Sequence, residues 1–507
     1  MKNIFILFIS LIFISSGPVN GFFSNIPNDT LHIDENIYSH TNAVGNSDED
    51  FDPLVDIEVT VDIISIRTLD TTYFATHPDF FIKVRINSEE FLSPLWQDSP
   101  YLDSIHWTAT ADVPDDVEYV NIAIEIVKKS MTTTTACDIN EEPHTITEEY
   151  TAEMIYSIRT GHWIGDDFIG DLSGYGRLNG FDDTCFRGSK QGWELWFHVY
   201  QNDYDNDQIP YWMEISLYGT DPQINNTGED LDEDGVPIEW EYTWMYNPNL
   251  WEDHAQLDRD DDSLTNLEEY YVSSWGSDPF RRDIYIEIDT MEEGPRRQNS
   301  SLSTRAKELL KTAFNRRNIV CHIDDGCMGG GGEIIPFDKK TYRYELKTLY
   351  NTYFLHNDTE NWRTGVFRYA MILYQFTASG MAYVGAHPWL YWHAPGTNTF
   401  VISAQNMHKM SVKLLKPLDF VYASAMMHET GHILGIDFLF PPGCDVKRSI
   451  HPRHLAFWLF RNYKSCMNYR YVYLILDYSD GSHGLFDYDD WSNLDFSFFE
   501  KKSTILS

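Results

Sequence analysis

A stretch near the C-terminal end of the sequence carries two histidines and a glutamate at a spacing suited to metal chemistry. His428 and His432 lie four residues apart in the run AMMHETGHILGI at positions 425–436. On a helix this spacing places both imidazoles on one face, where they can share one zinc ion. The carboxylate of Glu429 could take a proton from an attacking water and deliver it to a leaving amine. Gly435 predicts the end of the helix and a turn of the chain beneath the metal.

This pattern resembles the metzincin group of zinc peptidases, whose HExxH motif continues through a glycine to a third ligand. The run SCMNY at positions 465–469 resembles the Met-turn of that group. The resemblance implies that Met467 lies under the metal and that Tyr469 donates a hydrogen bond in the transition state. It covers roughly residues 281–499 and implies a zincin-type catalytic domain.

The third zinc ligand departs from the metzincin pattern. Phe438 stands at the expected position, ten residues after the first histidine, and its side chain cannot bind zinc. Asp437 lies one residue earlier, and Asp445 lies beyond a Pro-Pro-Gly-Cys turn. We favour Asp445 slightly over Asp437. Two histidines further along the chain, His451 and His454, could also supply the third ligand.

Six cysteines in a secreted chain most often form disulfides, and these six fall into three pairs that are local in sequence. The pairing is a hypothesis, because six cysteines allow 15 connectivities. A bond in the third pair would hold Asp445 beside Met467, which is the reason for favouring that aspartate. The predicted pairs are Cys137 with Cys185, Cys321 with Cys327, and Cys444 with Cys466.

Three twelve-residue windows between positions 203 and 269 share one pattern of acidic residues. Each has carboxylates at positions 1, 3, 5 and 12 and an apolar residue at position 7, whose backbone carbonyl is available. This spacing can surround one hard cation with six to eight oxygens, the last glutamate binding through both of its own. The acids are Asp203, Asp205, Asp207 and Glu214; Asp230, Asp232, Asp234 and Glu241; Asp258, Asp260, Asp262 and Glu269.

The windows resemble the EF-hand-like calcium loops of secreted proteins, which implies three structural calcium sites. They depart from the EF-hand pattern at position 6, where only Gly235 is a glycine. Gln208 and Ser263 occupy that position in the other two windows. These two residues must adopt a strained turn, or their loops must bind calcium more weakly.

The N-terminal end of the sequence resembles a secretory signal peptide. Residues 1–21 combine Lys2 with an apolar run over 4–14 and then small and polar residues. The mature chain would begin near Phe22 and lie outside the cell. Residues 22–50 are acidic and rich in Asn, Ser and Asp, and they predict a flexible segment.

The region 51–200 predicts a β-sandwich, because apolar and polar residues alternate over 56–63, 80–86 and 120–126. The runs HPDFFIKV at 77–84 and GDDFIGD at 165–171 resemble fragments of C2 domains. Four aspartates in these runs are either calcium ligands or turn residues: Asp79, Asp166, Asp167 and Asp171.

The length and the charge of the chain limit its possible architecture and partners. A chain of 507 residues is too long for a single core, so we expect a multidomain protein. The calcium repeats would span 201–280, and an α+β catalytic domain would span 281–500, opening with a strand over 281–289 and a helix over 303–317. The net charge of −41 disfavours binding to nucleic acid and anionic membranes, and it favours divalent cations as partners.

Two functions fit these features. The first is a secreted, zinc-dependent endopeptidase that hydrolyses extracellular proteins and is stabilised by calcium. The second is a calcium-dependent adhesion or scaffold protein at the cell surface whose peptidase-like domain is inactive. Glu429 favours the enzyme, because an inactive relative has little reason to keep its catalytic base.

Overall fold

The computed structural model describes residue 52 and the ranges 54–69, 79–130, 132–139, 150–167, 175–180, 192–383, 398–436 and 441–497. The predicted signal peptide and the acidic segment lie outside these residues, as do Asp171, Cys185, Asp437 and Phe438. Within the described ranges, every helix is too short or too polar to cross a bilayer.

The N-terminal region forms two antiparallel sheets packed face to face, which confirms the predicted β-sandwich. One sheet has the order β10-β11-β1 with β4 and β5 beside β1, and the other has the order β3-β2-β6-β8-β9 with β7 beside β6. Alternate residues of both sheets, such as Val59, Val61, Ile82 and Val84, share one core. The strands are β1 (Glu58–Thr68), β2 (Asp79–Ile86), β3 (Glu89–Leu92), β4 (Tyr101–Leu102), β5 (Trp107–Asp112), β6 (Tyr119–Lys129), β7 (Thr134–Ala136), β8 (Ala152–Ser157), β9 (Trp163–Gly165), β10 (Gly176–Asn179) and β11 (Trp193–Gln201).

The three acidic windows each lead into a short helix. These helices are α1 (Tyr211–Met213), which continues as a π-helical turn (Glu214–Tyr218), α2 (Ile238–Thr243) and α3 (Asn266–Val272). Each window's glutamate at position 12 lies on its own helix, so the helix carries that carboxylate back to the loop. Thr265 caps α3 in a reciprocal arrangement with Glu268, which fixes where that helix begins.

The C-terminal region is built on a mostly parallel sheet in the order β13-β12-β15-β17-β16, with β14 beside β12 and with β16 antiparallel to β17. Its strands are β12 (Asp283–Met291), β13 (Val320–Asp324), β14 (Ile334–Ile335), β15 (Phe367–Leu373), β16 (Gly380–Tyr383) and β17 (Thr399–Ser403). Its helices are α4 (Thr304–Asn315), α5 (Leu346–Leu349), α6 (Arg363–Val366), α7 (Ala404–Leu414), α8 (Leu418–Ile433) and α9 (Leu455–Leu459), and a short strand β18 (Pro442–Asp445) follows α8.

Both faces of this sheet are covered, as a parallel sheet requires. Ile284, Ile286 and Ile288 of β12 pack with α4 and α8 in one core, whereas Tyr285 belongs to a second core on the opposite face. The strand predicted over 281–289 and the helix predicted over 303–317 correspond to β12 and α4. The sheet therefore supports α8, the helix of His428 and His432, which packs against β16, β17 and α4.

A buried polar network joins the β-sandwich to α4. Arg177 of β10 donates to Glu194 Oε1 at 2.6 Å, to the carbonyl of Asn315 at 2.5 Å and to Asn318 Oδ1 at 2.6 Å. Asn315 Nδ2 donates in turn to Glu194 Oε2 at 2.7 Å. Arg67 of β1 lies 2.5 Å from Glu308 Oε2. Buried charges are costly unless they are paired, so these contacts hold the two regions in one arrangement.

Candidate metal centres

Helix α8 carries the HExxH residues through the middle of the protein. It begins after Pro417, whose extended backbone is suited to a helix start, and every residue from 420 to 433 is buried. A helix buried on all sides is held by its surroundings rather than by one apolar stripe. His428, Glu429 and His432 are only 4%, 5% and 8% exposed.

The two imidazoles are oriented by backbone carbonyls. His428 Nδ1 lies 2.8 Å from the carbonyl oxygen of Cys466, and His432 Nδ1 lies 2.7 Å from that of Ile436. Since a carbonyl only accepts, each Nδ1 carries a proton, and each Nε2 is the nitrogen that can offer a lone pair to a metal once it is deprotonated. Gly435, with φ of 90°, makes the turn that brings the Ile436 carbonyl to His432. This is the break predicted after α8.

Asp445 faces both histidines from β18. Its Oδ1 lies 3.2 Å from His428 Nε2, and its Oδ2 lies 3.5 Å from His432 Nε2. The Asp445 amide donates to the Met467 carbonyl at 3.2 Å, and its φ of 55° turns the side chain towards α8. Of the two aspartates considered, Asp445 is brought to the histidines, and Asp437 lies outside the described residues. His451 and His454 are exposed, and their rings contact each other.

The charges of this cluster are strongly coupled. Burial opposes the shift, but the charges of His432 and His428 hold the pKa of Asp445 well below its ordinary value. Burial by itself would lower the pKa of His432, whereas Asp445 raises the pKa of this histidine to about 9. The negative charge of Asp445 thus favours a positive charge at this cluster, which suits a divalent cation bound by the two imidazoles and the carboxylate.

The cluster passes a direct test of fit for zinc. Two imidazole nitrogens and a carboxylate are common zinc ligands, and three protein ligands are usual at catalytic sites. Ligand atoms of His428, His432 and Asp445 all lie within 4.8 Å of one another, and the buried Oδ1 of Asp445 has no hydrogen-bond partner. A zinc ion would satisfy that atom together with the two lone pairs.

Met467 and Tyr469 lie next to this cluster on the predicted Met-turn. Met467 is fully buried, and its sulfur lies so close to Gly431 that a side-chain carbon there would come within 2.6 Å. The Tyr469 ring stacks on His428 at a centroid distance of 5.8 Å. Burial, the charges of Asp445 and Glu429, and a hydrogen bond to Asp445 raise the pKa of Tyr469, so its phenol keeps its proton.

Glu429 is held by β16, the antiparallel edge strand. Burial raises the pKa of Glu429, whereas the two histidines and the backbone N–H of Ala382 lower it. A side-chain carbon added at Gly380 would come within 2.1 Å of Glu429 Oε1. Neither Gly380 nor Ala382 could be found from the sequence, because nothing in the local pattern pairs a residue on one strand with a glutamate about 50 residues later.

The three acidic windows share one hydrogen-bond register. The Oδ2 atom of each position 1 aspartate accepts the position 6 N–H at 3.0 Å. Each position 5 aspartate accepts the position 7 N–H through Oδ1 and another N–H, 18 to 21 residues further on, through Oδ2. Gln208 and Ser263 adopt φ of 72° and 75°, so the left-handed turn forms without glycine.

The carboxylates of these loops repel one another. Burial, and after it neighbouring acids, raises the pKa of Glu214 to about 8 and that of Glu241 to about 9. The same two causes raise the pKa of Asp260 to about 11. Buried carboxylate oxygens without a hydrogen-bond partner occur in every loop, among them Asp205, Asp232 and Glu269. Clustered oxygen donors of this kind fit a hard divalent cation.

Comparisons with known proteins identify no family. A scan of protein-family models and a search of curated proteins find no match to this chain. Among solved structures, a C2 domain of plant extended synaptotagmin 1 matches 28% of this chain and 94% of its own length, with 7% identity and a TM-score of 0.18. Human GIVD cytosolic phospholipase A2 matches 29% of this chain with 10% identity and a TM-score of 0.18. The matched part spans only 16% of the phospholipase.

Three of the four aspartates that resemble C2 ligands lie in the described residues, and each accepts a backbone N–H bond. Asp79 Oδ1 accepts the N–H of Asp98 at 3.0 Å, and Asp166 Oδ2 accepts the N–H of Glu153 at 2.9 Å. Asp167 accepts the N–H of Arg177 at 3.1 Å. These bonds favour the turn interpretation over calcium binding for these three residues.

The predicted disulfides stay predictions. No disulfide joins the described cysteines, and Cys185 lies outside the described residues. Cys444 and Cys466 are buried in the same core, one on β18 and the other beside the Met-turn. The backbone bond from Asp445 to Met467 by itself places this aspartate where the third disulfide was expected to hold it.

Proposed function

We propose that the chain is a secreted zinc endopeptidase that hydrolyses peptide bonds of extracellular proteins and is stabilised by calcium. One observation carries the proposal. The Nε2 atoms of His428 and His432 and the carboxylate of Asp445 converge, with Glu429 next to them on the same helix.

His428, His432 and Asp445 would hold the ion, with Nε2 of each imidazole as the ligand atom. When bound, zinc polarises a scissile carbonyl and lowers the pKa of water to near neutrality. The carbonyl partners of each Nδ1 hold the imidazole rings with Nε2 turned towards Asp445, so little reorganisation of the rings accompanies metal binding.

Glu429 acts as the general base and then as the general acid. Its carboxylate removes a proton from the attacking water and later delivers that proton to the leaving amine. The Ala382 N–H and the absence of a side chain at Gly380 keep the carboxylate against β16. Among the described residues β16 is the last strand of its sheet, and the outer backbone groups of such a strand can pair with an extended peptide substrate.

Tyr469 supplies a neutral donor beside His428 and Asp445. Its phenol keeps its proton at physiological pH and contacts Asp445. A donor held in a largely buried site stabilises the oxyanion that forms when water attacks the carbonyl. The three acidic loops would bind calcium and make the chain more rigid outside the catalytic region.

Proteolysis of unfolded casein by the mature protein with calcium and zinc tests the proposal. We expect cutting by the parent protein, and a loss of about 10²- to 10⁴-fold in Glu429→Gln, because the water loses its base. Glu293→Gln removes an exposed carboxylate away from the cluster and should cut like the parent.

The zinc content of each variant separates the possible failures. Glu429→Gln should still carry zinc, because Glu429 is not a ligand. A parent protein that carries zinc but cuts neither casein nor a broad peptide library would refute the peptidase and favour the inactive scaffold.

A further inference from the structure

The middle acidic loop is contacted by a nitrogen base from outside the loop, besides its own four carboxylates. His254 is fully buried, and its Nε2 lies 3.1 Å from Asp234 Oδ2. That nitrogen has no hydrogen-bond partner, and neither does either carboxylate oxygen of Glu241. Ligand atoms of Asp234, Glu241 and His254 all lie within 4.8 Å of one another. Close donor atoms that do not bond to one another mark a place for an ion.

The shared register of the loops shows where the histidine enters. In the first loop Asp207 Oδ2 accepts the N–H of Asn226 at 3.3 Å, and in the third Asp262 Oδ2 accepts that of Asp283 at 2.7 Å. In the middle loop the equivalent oxygen accepts the N–H of Glu252 at 3.2 Å and also faces His254. The middle loop therefore has the same backbone contact to its position 5 aspartate as the other two loops, and the imidazole of His254 is an additional group.

The imidazole is held from its other sides. Its ring meets Trp240 and Tyr246 edge-on, at centroid distances of 5.6 and 4.9 Å. Its Nδ1 lies 3.0 Å from Asn266 Nδ2, and the buried Oδ1 of Asn266 has no partner. Because amide oxygen and nitrogen exchange by a half turn, Asn266 can instead accept a proton from Nδ1. His254 Nε2 then presents a lone pair to the loop, as in outer-shell partners of metal-bound histidines.

The ligand chemistry of this loop differs from that of a pure oxygen site. Calcium takes oxygen ligands, whereas imidazole nitrogen favours first-row transition ions such as zinc. We propose that the middle loop binds a divalent first-row transition ion, with His254 as a ligand beside Asp230, Asp232, Asp234 and Glu241. The inference does not require the His428 centre to be catalytic, and it assigns the three loops to two kinds of ion.

Zinc binding by the full-length mature chain with His428→Ala and His432→Ala tests the inference. These two substitutions remove two ligands of the catalytic centre, so zinc that binds there no longer masks the middle loop. Calorimetry in excess calcium should find one zinc ion per chain. Adding His254→Gln should weaken zinc binding by at least roughly tenfold, because one protein ligand is lost. His408→Gln, an exposed histidine on α7, is the matched control and should leave the affinity unchanged.

X-ray absorption of the zinc-loaded His428→Ala, His432→Ala protein gives a second readout that does not depend on how His254→Gln folds. An imidazole in the zinc shell supports the inference. A shell of oxygen alone, no zinc bound in excess calcium, or an unchanged affinity in a folded His254→Gln protein would overturn it. His254 would then be a core histidine that donates to Asp234, in a loop that binds calcium through oxygen.

Discussion

The His428 centre and the three acidic loops hold their donor atoms in different ways. In the His428 centre, each imidazole is fixed by a backbone carbonyl and faces Asp445, so the histidines and the carboxylate attract one another. In the loops, carboxylates face carboxylates, and several buried oxygens have no hydrogen-bond partner. The first arrangement keeps its shape without an ion, whereas the second depends on an ion to offset its repulsion. We therefore expect the His428 centre to change little when a metal binds, and we expect the acidic loops to gain stability from their ions.

The largest effect that tests this contrast is calcium removal. Protein dialysed against EGTA and then resupplied with zinc alone should melt at a lower temperature than the calcium-loaded protein. A site that is saturated a thousandfold above its Kd contributes about 4 kcal/mol to the free energy of unfolding. Calorimetric melting curves measure the change. Equal melting temperatures with and without calcium would show that the loops fold without the ion.

The same calcium-depleted protein should lose stability as the pH rises. In the folded state, burial and neighbouring acids raise the pKa of Glu214 from 4.5 to about 8, and burial with other carboxylates raises that of Asp207 from 3.8 to about 6. A folded state that binds more protons than the unfolded state becomes less stable between these pKa values. Melting temperatures should therefore fall between about pH 4.5 and pH 8. Calcium should largely remove this slope, because it replaces the protons.

Asp445→Ala tests the other side of the contrast. Loss of this carboxylate should weaken zinc binding by about a hundredfold, because mutations of even outer-shell partners cost 10- to 100-fold. The free energy of unfolding of the calcium-loaded protein should change little, since Asp445 is remote in sequence from the loops and partly exposed. Competition with a chromogenic chelator measures the affinity. Asp116→Ala, at an exposed aspartate of the sandwich, is the control, and equal zinc affinity in both variants would exclude Asp445 as a ligand.

Gly380→Ala should reduce proteolysis without releasing the metal. The new side-chain carbon would come within 2.1 Å of Glu429 Oε1, so the carboxylate must move. A displacement of about 1 Å at a catalytic group can lower the rate by about 10²-fold. The value of kcat/KM for a peptide substrate, measured beside the zinc content, tests this. Full activity would mean that β16 does not position Glu429.

The smallest expected effect concerns the first loop. Gln208 adopts φ of 72°, and a left-handed conformation costs a residue with a side chain about 1–2 kcal/mol. Gln208→Gly should therefore stabilise the calcium-loaded protein by about 1 kcal/mol, after the entropy that glycine loses on folding. The same substitution at the exposed Gln256, where φ is not positive, should be destabilising. Urea denaturation distinguishes the two directions.

Local spacing predicted much of the clustering of the potential metal ligands. The histidines of α8, the three acidic windows and the turn at Gly435 each depend on residues close together in sequence, and the structure brings them together. Asp445 was favoured only slightly, because its position depends on a backbone bond to the Met-turn. Gly380 and His254 could not be found in this way. The first approaches Glu429 from another element, and the second reaches its loop from 20 residues beyond Asp234.

The network around Arg177 has a consequence for dividing this chain into pieces. Glu194 of the sandwich and Asn315 of α4 complete each other's hydrogen bonds, and Arg67 pairs with Glu308 across the same boundary. A fragment that begins at residue 281 would expose half of each pair to water and leave the face of α4 uncovered. The N-terminal region is thus part of the folding unit of the C-terminal region, and the two should unfold in a single cooperative step. A chimera in which a related domain replaces one of the two regions should fold only if both partners of each pair, one from the sandwich and one from α4, come from the same protein.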